Sequence, residues 1–228
     1  MLNSVGRDIP QDVLSLGYQP YQGKNQYNGT VMERVGAAVK VADLSQESKL
    51  LPSIEAAILA CGFKDGMTVS FHHHFRDGDY VMEMVMAEIV RMGFKDIRLA
   101  CTSIGSAAQN VADYIEEGIV TGLTTSGIRD RIGEVVSAGK LRDIAVLRSH
   151  GGRIRAIESG DIKIDVAFIG APSCDEYGNA SGKGGKSNCG SLSYAETDIM
   201  HAAKTVIITD TLVPYPNKPS HLDGIYVD

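Results

Sequence analysis

From about residue 53 onwards the chain alternates short apolar runs with helical stretches, and this alternation restricts its fold more than any other feature. The apolar runs, rich in β-branched residues, cover about 67–72, 96–102, 119–124, 143–149, 164–170 and 205–210. Helical patterns lie at about 79–92, 106–117, 128–138, 151–159 and 193–203. Near-continuous apolar strands separated by helices are typical of a parallel sheet covered on both faces. The pattern predicts an α/β fold with an open, doubly wound, mostly parallel sheet.

The two ends of the chain lack this alternation. Residues 1–45 include a stretch rich in Gln, Asn, Gly and Tyr between Gly17 and Gly29, which predicts an irregular arm. We expect the α/β domain over residues 46–210. Prolines concentrate between Val213 and Pro219, so residues 211–228 are predicted to form an edge segment or a linker to further chain.

Composition excludes several classes of protein. With 43% hydrophobic and 22% charged residues, the 228-residue chain has the balance of a soluble globular protein. Its net charge of −6, without a concentrated Lys/Arg run, argues against binding nucleic acid. Neither a secretion signal nor an apolar window of about 18 residues is seen, so we expect a cytoplasmic protein with no membrane span. Its four cysteines include no C-x-x-C pair, so we expect reduced thiols.

Three consecutive histidines follow the first predicted strand. Successive side chains of an extended segment point to opposite faces, so only His72 and His74 can converge, with His73 on the other side. One interpretation is a metal site completed by Asp77 or Asp79, but catalytic zinc usually takes three protein ligands, and we predict no metal. Another is that the imidazoles merely form hydrogen bonds at a strand end.

A third interpretation is a corner that binds an anion or an acyl group. Arg76 would supply a fixed charge, His72 and His74 would donate hydrogen bonds, and Gly78 would allow close approach of the backbone. Two further predicted strands also end in hydroxyl groups and glycines before a helix, where free N–H groups favour anions. The candidate binding residues there are Ser103, Gly105, Ser149, His150, Gly151, Gly152 and Arg153.

Two nucleotide-binding motifs are excluded. The string at residues 182–187 ends in Gly-Lys-Ser, but Ala180 occupies the position where a phosphate loop needs its first glycine. In addition, Asn188 stands where the helix of such a loop would begin. No Gly-x-Gly-x-x-Gly follows the first strand either, which disfavours a dinucleotide-binding dehydrogenase.

Asp175, Gly178 and Asn179 form the most specific short motif. Alone they are ordinary turn chemistry, and we expect them to shape a loop. In their order they resemble the Asp-x-x-Gly-Asn signature of the CoA-transferase superfamily. That signature is followed in the family by an Ala-Lys-x-Val-Ile helix and strand, which matches residues 203–207 here.

The wider pattern resembles the citrate lyase α subunit family, which acts as a citrate:acyl-carrier-protein transferase. The matching blocks lie at residues 7–10, 70–79, 148–153 and 209–217. One departure is that family members resemble two tandem CoA-transferase-like halves, whereas this chain matches the first. Because the covalent glutamate of related CoA-transferases lies in the other half or subunit, no residue here inherits that role.

This resemblance implies exchange of acetyl for citryl on the thioester of an acyl-carrier protein, with release of acetate. It implies citrate, the carrier subunit, the lyase subunit and a second half as partners. No cofactor is expected to bind directly; the chain would act on a dephospho-CoA-type prosthetic group of the carrier, with acetyl-CoA as a surrogate. His72, His74 and Arg76 would face citrate or the acyl oxygen, and Arg153 would neutralise charge at the prosthetic group. We expect this chain alone to be inactive.

Two alternatives stay open from the sequence. The chain is compatible with another enzyme of the superfamily, a CoA-transferase or thioester hydrolase that uses a different carboxylate. It is also compatible with a non-catalytic module that binds the carrier protein and other subunits.

Overall fold

The structure, a computed structural model, describes residues 1–3, 6–17, 39–40, 48–72, 74–75 and 78–228. The chain divides into two compact units, Met1–Glu33 and Arg34–Asp228. In the first unit, Leu2 and Asp8 form an antiparallel bridge, and a short helix follows Pro10. The sequence predicted no helix there; the proline, whose fixed φ of −54° suits entry to a helix, accounts for it.

Within the residues that the structure describes, eight strands and seven α-helices are present. The strands are β1 (Thr68–Phe71), β2 (Ile97–Cys101), β3 (Val120–Thr125), β4 (Val146–Leu147), β5 (Val166–Gly170), β6 (Ser173–Cys174), β7 (Ala180–Ser181) and β8 (Lys204–Ile208). The helices are α1 (Gln11–Ser15), α2 (Ile54–Ala60), α3 (Val81–Arg91), α4 (Val111–Glu116), α5 (Asp130–Ser137), α6 (His150–Glu158) and α7 (Ser193–His201).

Six parallel strands form the main sheet in the order β4-β3-β2-β1-β5-β8. The chain runs outward from β1 through β2 and β3 to β4, then crosses to β5 and β8 on the other side of β1. The sheet therefore has a topological switch point between β1 and β5, where α/β proteins usually bind ligands. This topology confirms the predicted open, doubly wound fold.

Helices cover both faces of the sheet, as the sequence predicts. Val69 and Phe71 pack in one core with α2, α3, α4 and α5. Ala167 and Ile169 pack in the other core with α6 and α7. Because side chains alternate along β1, Ser70 lies on the same face as α6 and α7. A polar residue of the central strand is thus buried between the sheet and these two helices.

Two predicted elements are shorter in the structure. The strand expected over 143–149 keeps only two residues, because Arg142 and Asp143 form ion pairs with Asp96 and Arg98 and Ser149 caps the next helix. The helix expected from residue 106 begins with a 3-10 turn, Ser106–Ala108, before α4.

Residues 211–228 pack against β6 and β7, which form a separate antiparallel pair. Leu212 bridges to Cys174, and the fully buried Leu222 bridges to Ala180. A second 3-10 turn, Gly224–Tyr226, follows. Across the described ranges, no helix is both long and apolar enough to cross a membrane.

Candidate active site

The parallel topology brings several predicted site residues to the carboxyl edge of the sheet. His72 follows β1, Ser103 and Gly105 follow β2, and Ser149 precedes α6 after β4. Arg76, which we predicted to hold an anion at this edge, lies outside the described residues, as do His73 and Asp77.

His72 and His74 come together as the alternation of an extended segment requires. Their rings stack with centroids 5.1 Å apart and an interplanar angle of 3°. The next residue, Phe75, lies against the end of β5, where an added Cβ on Gly170 would be 2.9 Å from its ring. The segment after β1 therefore crosses the end of β5, which places the histidine pair at the switch point.

A buried polar network lies beneath His72. Arg153 of α6 donates from both Nη atoms to the carboxylate of Asp198 on α7, at 2.7 and 2.5 Å. Its Nη2 also donates to Ser70 Oγ at 3.1 Å and to the carbonyl of Ala100 at 2.9 Å. Ser70 Oγ donates in turn to Asp198. The Arg153 and Asp198 side chains are 1% and 0% exposed, so this is a fully desolvated ion pair.

His72 is the link from this network to the sheet edge. Its Nε2 lies 3.1 Å from Asp198 Oδ1, and its side chain is 1% exposed. The geometry is not that of a linear hydrogen bond, so the contact is a short electrostatic contact between the ring nitrogen and the carboxylate. Burial raises the pKa of Asp198, but His72 and Arg153 outweigh burial and hold it below its ordinary value. Asp198 is therefore ionised at neutral pH.

A small recess of about 20 Å³ opens beside His72, with Asp79, Ser103 and Gly105 among its lining residues. Asp79 is 6% exposed and accepts hydrogen bonds from the backbone N–H of Val81 at 3.1 Å and of Phe75 at 3.5 Å. Burial raises the pKa of Asp79, although these two bonds and His72 oppose the shift. The sequence singled out Asp79 only as a possible metal ligand and missed it as a carboxyl group of this recess.

The residues predicted to cradle the carrier's prosthetic group fall into two sets. Ser103 lies in the recess, and its hydroxyl donates to the carbonyl of Gly127 at 3.3 Å. At the start of α6, Ser149 Oγ accepts from the N–H of Gly152 at 3.1 Å and caps the helix. The His150 and Tyr194 rings lie with their centroids 5.0 Å apart and are tilted by 43° to each other, and Gly151 is exposed.

Arg153 belongs to neither set. We predicted that Arg153 neutralises charge at the prosthetic group, but its guanidinium points under the sheet edge into the Asp198 network. Asp198 was not among the predicted site residues. The helical patterns of α6 and α7 do contain a signal for this pair. Each helix has a charged residue on its core face, and a buried charge requires a partner of opposite charge.

Asp175, Gly178 and Asn179 form a tightly bonded loop. Asp175 Oδ1 accepts from the N–H of Tyr177 and of Asn179, both at 3.0 Å. Its Oδ2 accepts from Asn179 Nδ2 and from the N–H of Asn217, both at 2.9 Å. Gly178 has a φ of +91°, and a Cβ there would lie 2.8 Å from a Val227 side-chain atom. These contacts hold the loop and residues 217–227 together.

The cysteines are poor nucleophiles in this structure. All four thiols are free. Burial raises the pKa of Cys61 to about 11 and those of Cys101 and Cys174 to about 12, and it also raises that of Cys189. Thiols with such pKa values stay protonated at neutral pH, which leaves little of the reactive thiolate.

A larger cavity of about 280 Å³ lies along β8 and α2, away from the histidines. Its walls are mostly apolar, and among the predicted site residues that the structure describes, only Asp175 and Gly178 line it. We favour the smaller recess as the functional site, because it lies at the switch point and combines an imidazole, a carboxyl group and a hydroxyl group. The described stretches of chain contain no group of three or more His, Cys, Asp or Glu side chains placed to hold a metal ion.

Comparison with known proteins identifies the family. A sequence model of "Citrate lyase, alpha subunit" matches residues 47–228, most of the chain. This chain belongs to the citrate lyase α subunit family. The citrate lyase alpha chain of Klebsiella pneumoniae is 44% identical over 231 residues, which cover 100% of this chain and 43% of that protein. The chain thus spans less than half the length of this relative.

Solved structures agree with this assignment. One from Streptococcus mutans, assigned as the α subunit of citrate lyase in complex with citrate, is 47% identical with a TM-score of 0.87. The match covers 99% of this chain and 44% of that one. Glutaconate coenzyme A-transferase from Acidaminococcus fermentans is 15% identical with a TM-score of 0.53, covering 77% of this chain and 73% of that one, which shows a shared fold.

Proposed function

We propose that this chain forms the citrate-binding part of a transferase that converts acetyl-carrier protein and citrate to citryl-carrier protein and acetate. The observation that carries the proposal is the stacked His72–His74 pair at the switch point of a chain in the citrate lyase α subunit family. The citrate present in the Streptococcus mutans relative supports citrate as the acceptor.

The exchange needs two acyl transfers. A citrate carboxylate oxygen attacks the acetyl carbonyl, and the carrier thiolate leaves, which gives a mixed anhydride. The same thiolate then attacks the citryl carbonyl of the anhydride, and acetate leaves. In each transfer the carbonyl oxygen gains negative charge, so both are accelerated by hydrogen-bond donors that are already oriented.

His72 and His74 are suited to supply such donors. Their rings are held by stacking and by the Asp198 contact, so little reorganisation is needed at the moment of reaction. We assign them, with Arg76, to the carboxylates of citrate or to the acyl oxygen. Asp79 adds a carboxyl group whose raised pKa suits it to exchange protons in the same recess.

The carrier's prosthetic group, of the dephospho-CoA type, would lie along the same sheet edge. Ser103 and Gly105 after β2, and Ser149 with Gly151 and Gly152 at the start of α6, provide hydroxyl groups and open backbone for it. His150 lies beside them on the exposed surface. Arg153 is left out of this cradle because Asp198 occupies its guanidinium. Acetyl-CoA would serve as a surrogate substrate.

Other subunits complete the proposed machinery. Because the relatives are more than twice as long as this chain, we assign the opposite wall of the site to a second CoA-transferase-like half. The carrier protein and the lyase subunit are the remaining partners.

The test uses the complete subunit with acetyl-carrier protein and labelled citrate. His72→Gln and Arg76→Ala should each lower citrate-dependent acetate release by about 100-fold or more, the usual cost of losing an oriented donor to a developing oxyanion. His201→Gln, in α7 and away from the recess, is the control and should keep the wild-type rate. Unchanged release in His72→Gln would contradict the proposal. Faster transfer to acetate or succinate than to citrate would indicate another CoA-transferase.

A second candidate function is that of an assembly module. It is favoured because this chain spans only 43% of the Klebsiella pneumoniae relative. In that case the chain binds the carrier protein, while chemistry resides elsewhere. Binding of the carrier that survives His72→Gln and Arg76→Ala, together with unchanged turnover in the complete subunit, would support this candidate.

A further inference from the structure

We infer that Asp198 is a positioning residue that fixes His72 with a proton on Nε2, so that Nδ1 is the ring nitrogen left to accept a proton. The effect of this arrangement on acyl exchange rests on the proposed function. The arrangement itself rests on the buried network alone.

Asp198 is held by contacts from two other elements of the fold. Arg153 reaches it from α6, Ser70 and His72 reach it from β1 and its end, and Asp198 itself lies on α7. Its carboxylate is fully buried and cannot turn toward water. A side chain bonded from several directions has a single orientation, so its Oδ1 is a fixed point 3.1 Å from His72 Nε2.

The protonation of Nε2 follows from the charge on Asp198. Both guanidinium contacts with Arg153 require an ionised carboxylate, and an ionised carboxylate only accepts hydrogen bonds. A bare Nε2 would place a partly negative nitrogen 3.1 Å from the carboxylate, without solvent between them, whereas Nε2–H places a partly positive hydrogen near it. The low-energy tautomer of neutral His72 therefore carries its hydrogen on Nε2, because the contact of one ring nitrogen determines the role of the other.

Arg153 and Asp198 form a buried pair of opposite charges beneath His72. Asp79, between β1 and α3, and the stacked His74 are the other titratable groups beside it among the described residues. With Nε2 turned toward Asp198, Nδ1 is the ring nitrogen that can accept a hydrogen from a group in the recess, while the ring stays in place.

The direct test is the tautomer of wild-type His72. The complete subunit, labelled with ¹⁵N-histidine, is measured by NMR at a pH where the ring is neutral, and the His72 signals are identified by their loss in His72→Gln. We expect a protonated Nε2 and an unprotonated Nδ1. A protonated Nδ1 in the neutral ring would overturn the inference, and this result does not depend on any variant of Asp198 folding.

The second measurement compares two variants. Asp198→Asn keeps the shape but removes the charge, and should give mixed tautomers and a kcat for exchange about 10- to 100-fold lower, with KM changed less, as for other partners that orient an imidazole. Ser70→Ala also loosens the network but leaves the His72 contact, so it should keep the tautomer. An unchanged tautomer in Asp198→Asn, or an equal change in Ser70→Ala, would contradict positioning by Asp198. Expected tautomers without exchange activity in the wild type would reject the proposed function alone.

Discussion

Asp79 and Asp198 are both buried beside His72, yet their pKa values move in opposite directions. Burial dominates for Asp79, and the hydrogen bonds from Phe75 and Val81 do not compensate for it. For Asp198, His72 and Arg153 outweigh burial. Two carboxyl groups with separated pKa values at one site are suited to different tasks, one exchanging protons and the other remaining a fixed charge.

The raised pKa of Asp79 gives a stability prediction. A folded-state pKa above the ordinary 3.8 means that Asp79 favours the folded state at low pH, and that this contribution is lost as pH rises through the folded pKa. At pH 7 its charge is therefore a cost, and Asp79→Asn should raise the free energy of unfolding. The gain should shrink toward zero near pH 4 and below. Urea unfolding at both pH values measures it.

The exposed Asp161→Asn is the control for this experiment, because a surface charge contributes little and should give no comparable gain. A loss of stability in Asp79→Asn at pH 7 would show that the bonds to Phe75 and Val81 matter more than burial.

The sequence was sufficient to pair His72 with His74 but not Asp198 with Arg153. His72 and His74 could be paired, because strand alternation is local geometry. Asp198 and Arg153 could not be paired from local geometry, since 45 residues separate them and their contact depends on α6 and α7 lying side by side on one face. A local pattern shows that a charge on a core face needs a partner, but it does not show which residue of another helix provides it.

Among the elements, the end of β5 is the most restrictive junction. Gly170 ends this strand, and a side chain there would meet both Phe75 and Val81 at 2.9 Å. The lack of a side chain lets the segment after β1 cross directly over β5. The position of the histidine pair thus depends on a residue of another strand.

Gly170→Ala is predicted to destabilise the fold by about 1–3 kcal/mol through overpacking, and to lower exchange by displacing Phe75 and the neighbouring His74. Thermal or urea unfolding and acetate release measure the two effects. Gly133→Ala, in α5 with nothing near the added Cβ, is the matched control and should stabilise by about 0.5–1 kcal/mol. Wild-type stability and activity in Gly170→Ala would show that Phe75 can move at no cost.

Most elements were predictable because strand and helix periods are strong signals in a βα chain. Five of the six sheet strands lie within about two residues of their predicted bounds. The β6–β7 pair was missed, since each strand has two residues and no periodicity can appear in so short a run. The strand predicted over 143–149 was too long, because the predicted run extends into residues that the structure uses for an ion pair and a helix cap.

At the scale of the whole molecule, the carboxyl edge of the sheet presents one wall of a site. We predict that this chain alone shows no citrate-dependent acetate release. Adding the separately produced remainder of the subunit should restore release toward the rate of the intact protein, measured with acetyl-carrier protein and citrate. Full activity of this chain by itself would contradict the proposed division of the site between two halves.

The loop around Asp175 has a consequence for how the domain opens. Its carboxylate accepts backbone hydrogen bonds both from its own loop and from Asn217, and Asn179 Oδ1 accepts another from Gly224. If the carboxylate turns away, its bonds to Tyr177, Asn179 and Asn217 are lost, and Asn179 loses the contact that orients it toward Gly224. The loop and residues 217–227 therefore form one cooperative unit of local unfolding. Their amide hydrogens would exchange with solvent together, in a single step governed by one side chain.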